Sequence, residues 1–297
     1  MRGANNMANE MALRSGGWRN QVVASFATAQ AVTRAAVLRM KKISTDNDGP
    51  NRWLLNGPDC QAEYCIGVAA DRRSRERAYR LAHNVYKQSG YVSDDTPALG
   101  TKFDSDPRTL TLLAETKDGR AAATVTLVFD SSAGLPADEL YSPELDRLRA
   151  QSRQLVEVTR LAISEEHMHS KVLLVRLFNF IYLFARRVKN FDDFVIEVNP
   201  RHVNYYRRLL KFEQIGVERP CPRVQGAPAV LLKLDLALSE SEVQLVAGKG
   251  ASANQRTLYP HFYAAQDEHG VLKFLARRHK PMTLSEVSYF NLQLAAV

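Results

Sequence analysis

The sequence predicts a mixed α/β (α+β) fold, a central sheet with helices on both faces, over residues 62–237 of 297. Three observations predict it. Strand-like and helix-like segments alternate from Glu63 onward; two of the strands are joined by Lys117-Asp118-Gly119, a hairpin signal; and Ser170 to Lys189 is apolar on almost every side, as expected of a helix packed on both flanks.

In chain order, "EYCIGVAA" (Glu63 to Ala70) is a strand, and Asp71 caps a helix whose apolar positions Ala78, Leu81, Ala82 and Val85 keep helical spacing. "TLTLLAET" and "RAAATVTLVFD" form the hairpin. "GLPADELYSPELDRLRAQSRQ" is a loop and short helix, followed by a strand in "QLVEVTRLAIS", Gln154 to Ser164. After the apolar helix, "DFVIEV" is a short buried strand. Asn199 then caps a helix with Pro200 at its first position, where the missing N–H costs nothing, and "VQGAPAVLLKLDL" closes the domain as a strand. Residues 1–61 form a basic extension, partly without pattern and partly helical, and residues 238–297 a polar linker followed by helical pieces.

The formal charge of +8 is unevenly placed. Residues 1–42 hold seven Arg or Lys against Glu10, a net +6, so the rest of the chain is near neutral. A basic arm on a near-neutral body argues against nucleic acid as a partner of the fold, while leaving acidic lipid or an acidic protein open to the arm. Cys60, Cys65 and Cys221 are odd in number and lack metal spacing, so free thiols in a reducing cytoplasm and no metal site are expected. No apolar signal region is apparent, and the longest apolar run, Val172 to Ala185, is broken by Arg176 and Asn179, too short and polar to span a membrane.

"QLVEVTRLAIS" is the unusual element, because Glu157 and Arg160 interrupt a strand otherwise fit for a core. A structural ion pair, or charges at a strand edge, is the bland explanation. Residues three apart in a strand fall on opposite faces unless a bulge intervenes, and an unpaired buried charge is costly. Either the strand is splayed or bulged here, or the two charges serve different faces. A splay would free backbone donors beside a carboxylate, which are useful parts for acyl transfer.

"ARRVKNFDDFVIEVNPRHVNYYRRLLKFEQIG" resembles the last strand-helix-strand unit of the GNAT acyltransferase superfamily, and "EVTRLAIS" the central strand of its acyl-homoserine lactone synthase branch. Together with "SGYVS", "SSAGLPADELY" and "PELDRLRAQSRQLVEVTRLAI", they are most similar to the long-chain N-acyl amino acid synthases. The resemblance implies a GNAT-like, splayed central sheet. It also implies transfer of a fatty acyl chain from acyl-phosphopantetheine on acyl carrier protein to the α-amino group of an amino acid, with no permanently bound cofactor.

On this resemblance Glu157 is the expected base, Arg160 orients it or holds a carboxylate, and Tyr206 lies near the tyrosine that protonates the leaving thiolate in many relatives. For Tyr206 the competing reading, a core or rim tyrosine, is the favoured one. The loop after the charged strand, "EEHMHSKVL", lacks the glycines that cradle a CoA pyrophosphate, which favours a carrier-protein donor. Leu161, Ile163, His169, Ser170 and Lys171 are candidates for holding that donor, although an exposed helix start explains the last three equally. Leu127, Phe129, Phe178, Ile181 and Tyr182 are candidates for the acyl-chain pocket, and Tyr86 and Tyr91 for walls of the acceptor pocket. Arg186, Arg187, Arg207 and Arg208 offer a docking face for the acidic carrier protein, or are merely solvated surface.

Two rivals remain. A homoserine-lactone synthase would carry a Trp after the first helix, and here none follows Trp53, although Asp94, Asp95, Asp104 and Asp106 lie nearby. A silent acyl-binding or carrier-binding module is the other.

Overall fold

The computed structural model describes residues 63–93, 100–250 and 256–293. The expectations for residues 1–61, including Cys60, and those for Asp94 and Asp95 lie outside the described residues. Strand β1 (Tyr64–Val68) is buried along its length and leads into helix α1 (Arg72–Gln88). Asp71 caps that helix: its Oδ1 accepts from Ser74 N at 2.9 Å, and Ser74 Oγ in turn accepts from Asp71 N. Strands β2 (Leu110–Thr116) and β3 (Ala121–Phe129) form the expected hairpin, with Gly119 at φ +82° in its turn. Helix α2 (Asp138–Ala150), strand β4 (Leu155–Ile163) and helix α3 (Lys171–Tyr182) follow. A π-helical turn, Leu183–Val188, ends α3 before strand β5 (Asp193–Val198).

Asn199 Oδ1 accepts from Arg201 N and starts a 3-10 turn that continues as α4 (Val203–Leu210). Short strands β6 (Glu213–Gln214) and β7 (Arg219–Cys221) flank the long β8 (Ala227–Asp235). The sheet order is β1-β2-β3-β4-β5-β8-β6, with β7 also on β8. All pairings are antiparallel except β4 with β5, whose parallel course requires the crossover that α3 supplies.

Side-chain alternation divides the sheet between two cores. Leu127, Phe129, Val156, Val158, Phe194 and Ile196 face α3 in the main core. Val128, Leu155, Val195 and Leu231 face Tyr141 and Leu145 of α2. Helix α1 packs across β2, β3 and β4, and Tyr79 on it reaches the same face as α2. Tyr141 seats α2 by donating to Ala229 O (2.7 Å), and its ring lies so close to Gly216 that a β-carbon there would meet it at 2.7 Å.

The segment expected as a polar linker beyond Leu238 begins inside a helix, α5 (Leu236–Val246). Asp235 Oδ1 caps it by accepting from Ala237 and Leu238 N, and Ser239 and Val243 are buried beneath. Leu236, Ser239 and Val243 are the buried positions of this helix, so its seam includes a serine and reads as polar in the sequence. Helices α6 (Ala265–Arg278) and α7 (Leu284–Tyr289) follow, and Tyr259, Phe262, Val271 and Leu275 join the main core. Arg75 of α1 pairs with Glu286 of α7 at 2.5 Å, both nearly buried. Among the described residues, no helix is long and apolar enough to cross a membrane, and Cys65 and Cys221 are free and buried.

Lys211 ends α4 in the left-handed region (φ 63°), a position that glycine adopts without steric cost. Its exposed pair with Glu242 offsets little of the strain. Lys211→Gly is expected to stabilise the fold by about 0.5–1 kcal/mol, seen as a rise of roughly 1–4 °C in thermal melting.

Candidate active site

The β4/β5 ladder has three register pairs, Leu155↔Asp193, Val156↔Phe194 and Glu157↔Val195, and no pair beyond them. The sheet is therefore splayed from Glu157 onward. On its other edge β4 slips against β3: Thr126 faces Thr159, Thr124 faces Ala162, and Val125 lies opposite both Arg160 and Leu161. Arg160 is the inserted residue, at φ 49°. The extra residue explains the spacing of three, because it turns Arg160 onto the face that Glu157 and Thr159 already occupy.

Glu157 is almost fully buried, and its Oε2 accepts from Ala137 N, at the start of α2, at 2.8 Å. Burial raises its pKa well above the ordinary carboxyl value, the Glu197 carboxylate raises it further, and the Ala137 N–H opposes both. Glu197, two residues beyond the last register partner, shares the face of Val195. Its Oε2 pairs with Arg223, which also bonds Glu139 and donates to Pro136 O. Its Oε1 is buried and, among the described residues, has no hydrogen-bond partner. Burial raises the Glu197 pKa and Arg223 works against that.

The expectation that Arg160 orients Glu157 is not what the geometry shows. Its guanidinium is bonded to both oxygens of Asp104, Nη1 to Oδ2 at 2.8 Å and Nη2 to Oδ1 at 2.5 Å. Asp104 lies in a 3-10 turn, Lys102–Ser105, and also accepts from Tyr79 OH at 2.9 Å and Thr101 N at 2.7 Å. Burial alone would raise the Asp104 carboxyl, but Arg160 and the other donors hold it below its ordinary value. Arg160 therefore holds a carboxylate, that of the chain itself, and clamps β4 to the 3-10 turn and α1.

Tyr86 and Tyr91 meet edge to face with centroids 6.0 Å apart. Burial pushes the Tyr86 phenol up to about 12, and it feels the charges of Arg160, Glu197 and Glu157, so it belongs to the same cluster. Tyr91 OH accepts from Arg201 Nη2 at 3.0 Å.

The other named residues disperse. Tyr206 is buried among Phe178, Tyr205 and Phe212, with burial raising its phenol. Leu161 and Ile163 pack at the margin of the main core, on the part of β4 that has left β5. Ser170 caps α3, Lys171 Nζ lies 3.2 Å from His261 Nε2, and His169 is exposed beside them. Leu127, Phe129, Phe178, Ile181 and Tyr182 are all buried within the main core between sheet and α3. Arg186 pairs with Glu240 and Arg187 with Glu240 and Glu268, which ties α3's π turn to α5 and α6. Arg207 and Arg208 are exposed on α4.

A sequence-family model described as "FeeM: N-acyl amino acid synthase FeeM" matches residues 77–235, more than half of the chain. The chain belongs to this family. The structure of FeeM, an N-acyl amino acid synthase from uncultured soil microbes, is similar at 26% identity and TM-score 0.54, covering 60% of this chain and 93% of that one. An N-acetyltransferase from Staphylococcus aureus Mu50 matches at 14% identity and TM-score 0.41, over 59% of this chain and 99% of that one. A GNAT-family acetyltransferase from Streptococcus pneumoniae matches at 16% and 0.42, over 58% and 99%. No curated protein gives a significant match. This FeeM-family chain is an acyltransferase with a GNAT-like fold, as the resemblance led one to expect.

Two predictions follow from the charges. Asp104→Ala takes the bidentate carboxylate from a buried guanidinium and is expected to cost about 3 kcal/mol or more in denaturant unfolding. Glu157 has a folded pKa raised above its unfolded one, so its contribution is full below the unfolded value and is lost as pH climbs through the folded value. Glu157→Gln should therefore melt with the parent at about pH 4 and above it at about pH 8, with the gap opening from the ordinary carboxyl pKa upward.

Proposed function

We propose that this enzyme transfers a long-chain fatty acyl group from the phosphopantetheine thioester of acyl carrier protein to the α-amino group of an amino acid. The observation that carries this is a buried carboxyl, Glu157, at the point where β4 and β5 part, in a chain of the FeeM family. The attacking amine must be neutral, and a carboxyl with a raised pKa is a stronger base than an exposed one. The edge of β4 beyond Glu157, with Leu161 and Ile163, would run along the pantetheine arm. His169, Ser170 and Lys171, at the start of α3, would lie near its phosphate. The acyl chain would enter the apolar layer under α3 that includes Phe178, Ile181 and Tyr182. Tyr86 and Tyr91 would wall the acceptor.

Carrier docking rests on Arg207 and Arg208, since Arg186 and Arg187 are already paired within the chain. The N-terminal basic arm would touch acidic lipid. The donor places the reaction in a bacterial cytoplasm, where the free Cys65 and Cys221 thiols also belong.

Incubation with acyl carrier protein thioesters and a mixture of amino acids, followed by mass analysis, should yield N-acyl amino acids. A lactone product would indicate a homoserine-lactone synthase, and no product a binding module. Glu157→Gln should fold and lose about 10²- to 10⁴-fold in turnover; near-normal turnover would remove Glu157 from the mechanism. Binding of carrier protein should weaken with added salt, and more weakly so after Arg207→Gln and Arg208→Gln.

A further inference from the structure

A second carboxyl faces Glu157 across the splay, and nothing in the motifs singled it out. Glu157 pairs in register with Val195, so Glu197 is the next residue of β5 on the same face, where the ladder has ended. Two carboxyls thus flank the mouth of the gap. They differ in their partners. Glu157 is enclosed, with Oε2 held by Ala137 N–H. Glu197 has one oxygen fixed by Arg223 and the other buried with no partner among the described residues. A buried carboxylate oxygen without a donor costs free energy unless a donor arrives.

The surroundings say what kind of donor. The groups facing Glu197 are Glu157 from β4, Glu139 and Tyr141 from α2, Tyr86 from α1, Cys221 from β7 and Arg223 from the following turn. Arg223 is shared between Glu139 and Glu197, so one cation serves two acids while Glu157 adds a third. Among the described residues Arg160 is already paired with Asp104 and Arg223 is shared, so the acids of the site outnumber the cations that serve them, and the orphan oxygen marks where a further one fits. An alkylammonium group is the cation the proposed reaction brings.

We propose that Glu197 binds the ammonium group of the amino acid acceptor through its unpartnered oxygen and takes the proton, with Glu157 as the second half of a carboxyl pair that acts as one base. This deepens the function proposed above and rests on it. Two carboxyls whose charges act on each other in this way do not ionise independently, so the pair holds one proton more readily than either would alone. The ammonium gives one proton to Glu197. The neutral nitrogen then forms the C–N bond to the thioester carbonyl, the C–S bond breaks, and the nitrogen's second surplus proton accompanies the departing thiolate as a thiol. Glu197 finally returns its proton to water, so the turnover releases amide, thiol and one proton.

Two measurements test this. The first follows kcat/KM from about pH 7 to about pH 10 for the parent, Glu157→Gln, Glu197→Gln and the double variant. Glu197→Gln is expected to lose about 10²-fold or more near neutrality, and to recover toward alkaline pH, where the free amino acid deprotonates in solution. The double variant should fall no further than the worse single one, as expected of groups acting as a unit. A loss of less than about twofold near neutrality, or one independent of pH, would show a role limited to anchoring Arg223 and overturn the proposal. Glu197→Asp keeps a charge for Arg223 but withdraws the carboxyl by one methylene, so the same comparison stands if the glutamine variant does not fold. The second is calorimetric binding of the amino acid without donor, which should weaken about tenfold or more in both Glu197 variants; unchanged affinity in them overturns the ammonium site. An inactive parent that still binds amino acids through Glu197 would remove the acyl-transfer reading and leave the ammonium site standing.

Discussion

Three parallel register pairs set where everything else in this molecule can be. The ladder between β4 and β5 is pinned at one end by Arg153, whose guanidinium spans Asp193 at the start of β5 and Asp235 at the end of β8. Among the described residues nothing comparable joins the strands at the other end, where α3 must first cross from one to the other. A fourth register pair would draw the β4 edge beyond Glu157 against β5 and close the gap that Glu157 and Glu197 flank. The length of the crossover and the shortness of the ladder are thus one constraint.

The bulge at Arg160 is its counterpart on the β3 side. An inserted residue in the left-handed region is strained for arginine, and the strain is held by a bidentate bond to Asp104 that Tyr79 reinforces. Arg160 is therefore a structural clamp in this state of the molecule, and Glu157 is the carboxyl whose burial has no comparable compensation. The two charges that make the strand look alike in sequence have different physical standing: one is paired by its own chain, the other is shielded and weakly served.

Much of the scaffold was legible because its signals are local. Asp71 and Asn199 mark helix starts by side-chain chemistry within three residues, and Lys117-Asp118-Gly119 announces a turn that needs a positive φ. The charged strand also betrayed its irregularity, since period-two alternation cannot place Glu157 and Arg160 together without an extra residue. What the sequence hid is non-local. Asp104 looked like one of several spaced acids until a 3-10 turn brought it to β4. Glu197 looked like the polar step of an ordinary alternating strand, and only the short ladder makes it an inner-mouth residue. Helix α5 was missed because Asp235 is at once the last strand residue and the cap of the helix that follows.

The C-terminal segment enlarges what counts as the domain. The family match ends at residue 235, yet Tyr259 donates to Leu210 O, Tyr263 N reaches Asn179 in the middle of α3, and Glu286 meets Arg75 at the start of α1. The far flank of α3, one wall of the layer where an acyl chain would lie, is covered by residues that the family pattern does not include. Chains sharing the matched region can therefore differ in how α3 is walled through divergence in a region that similarity to the family leaves unconstrained.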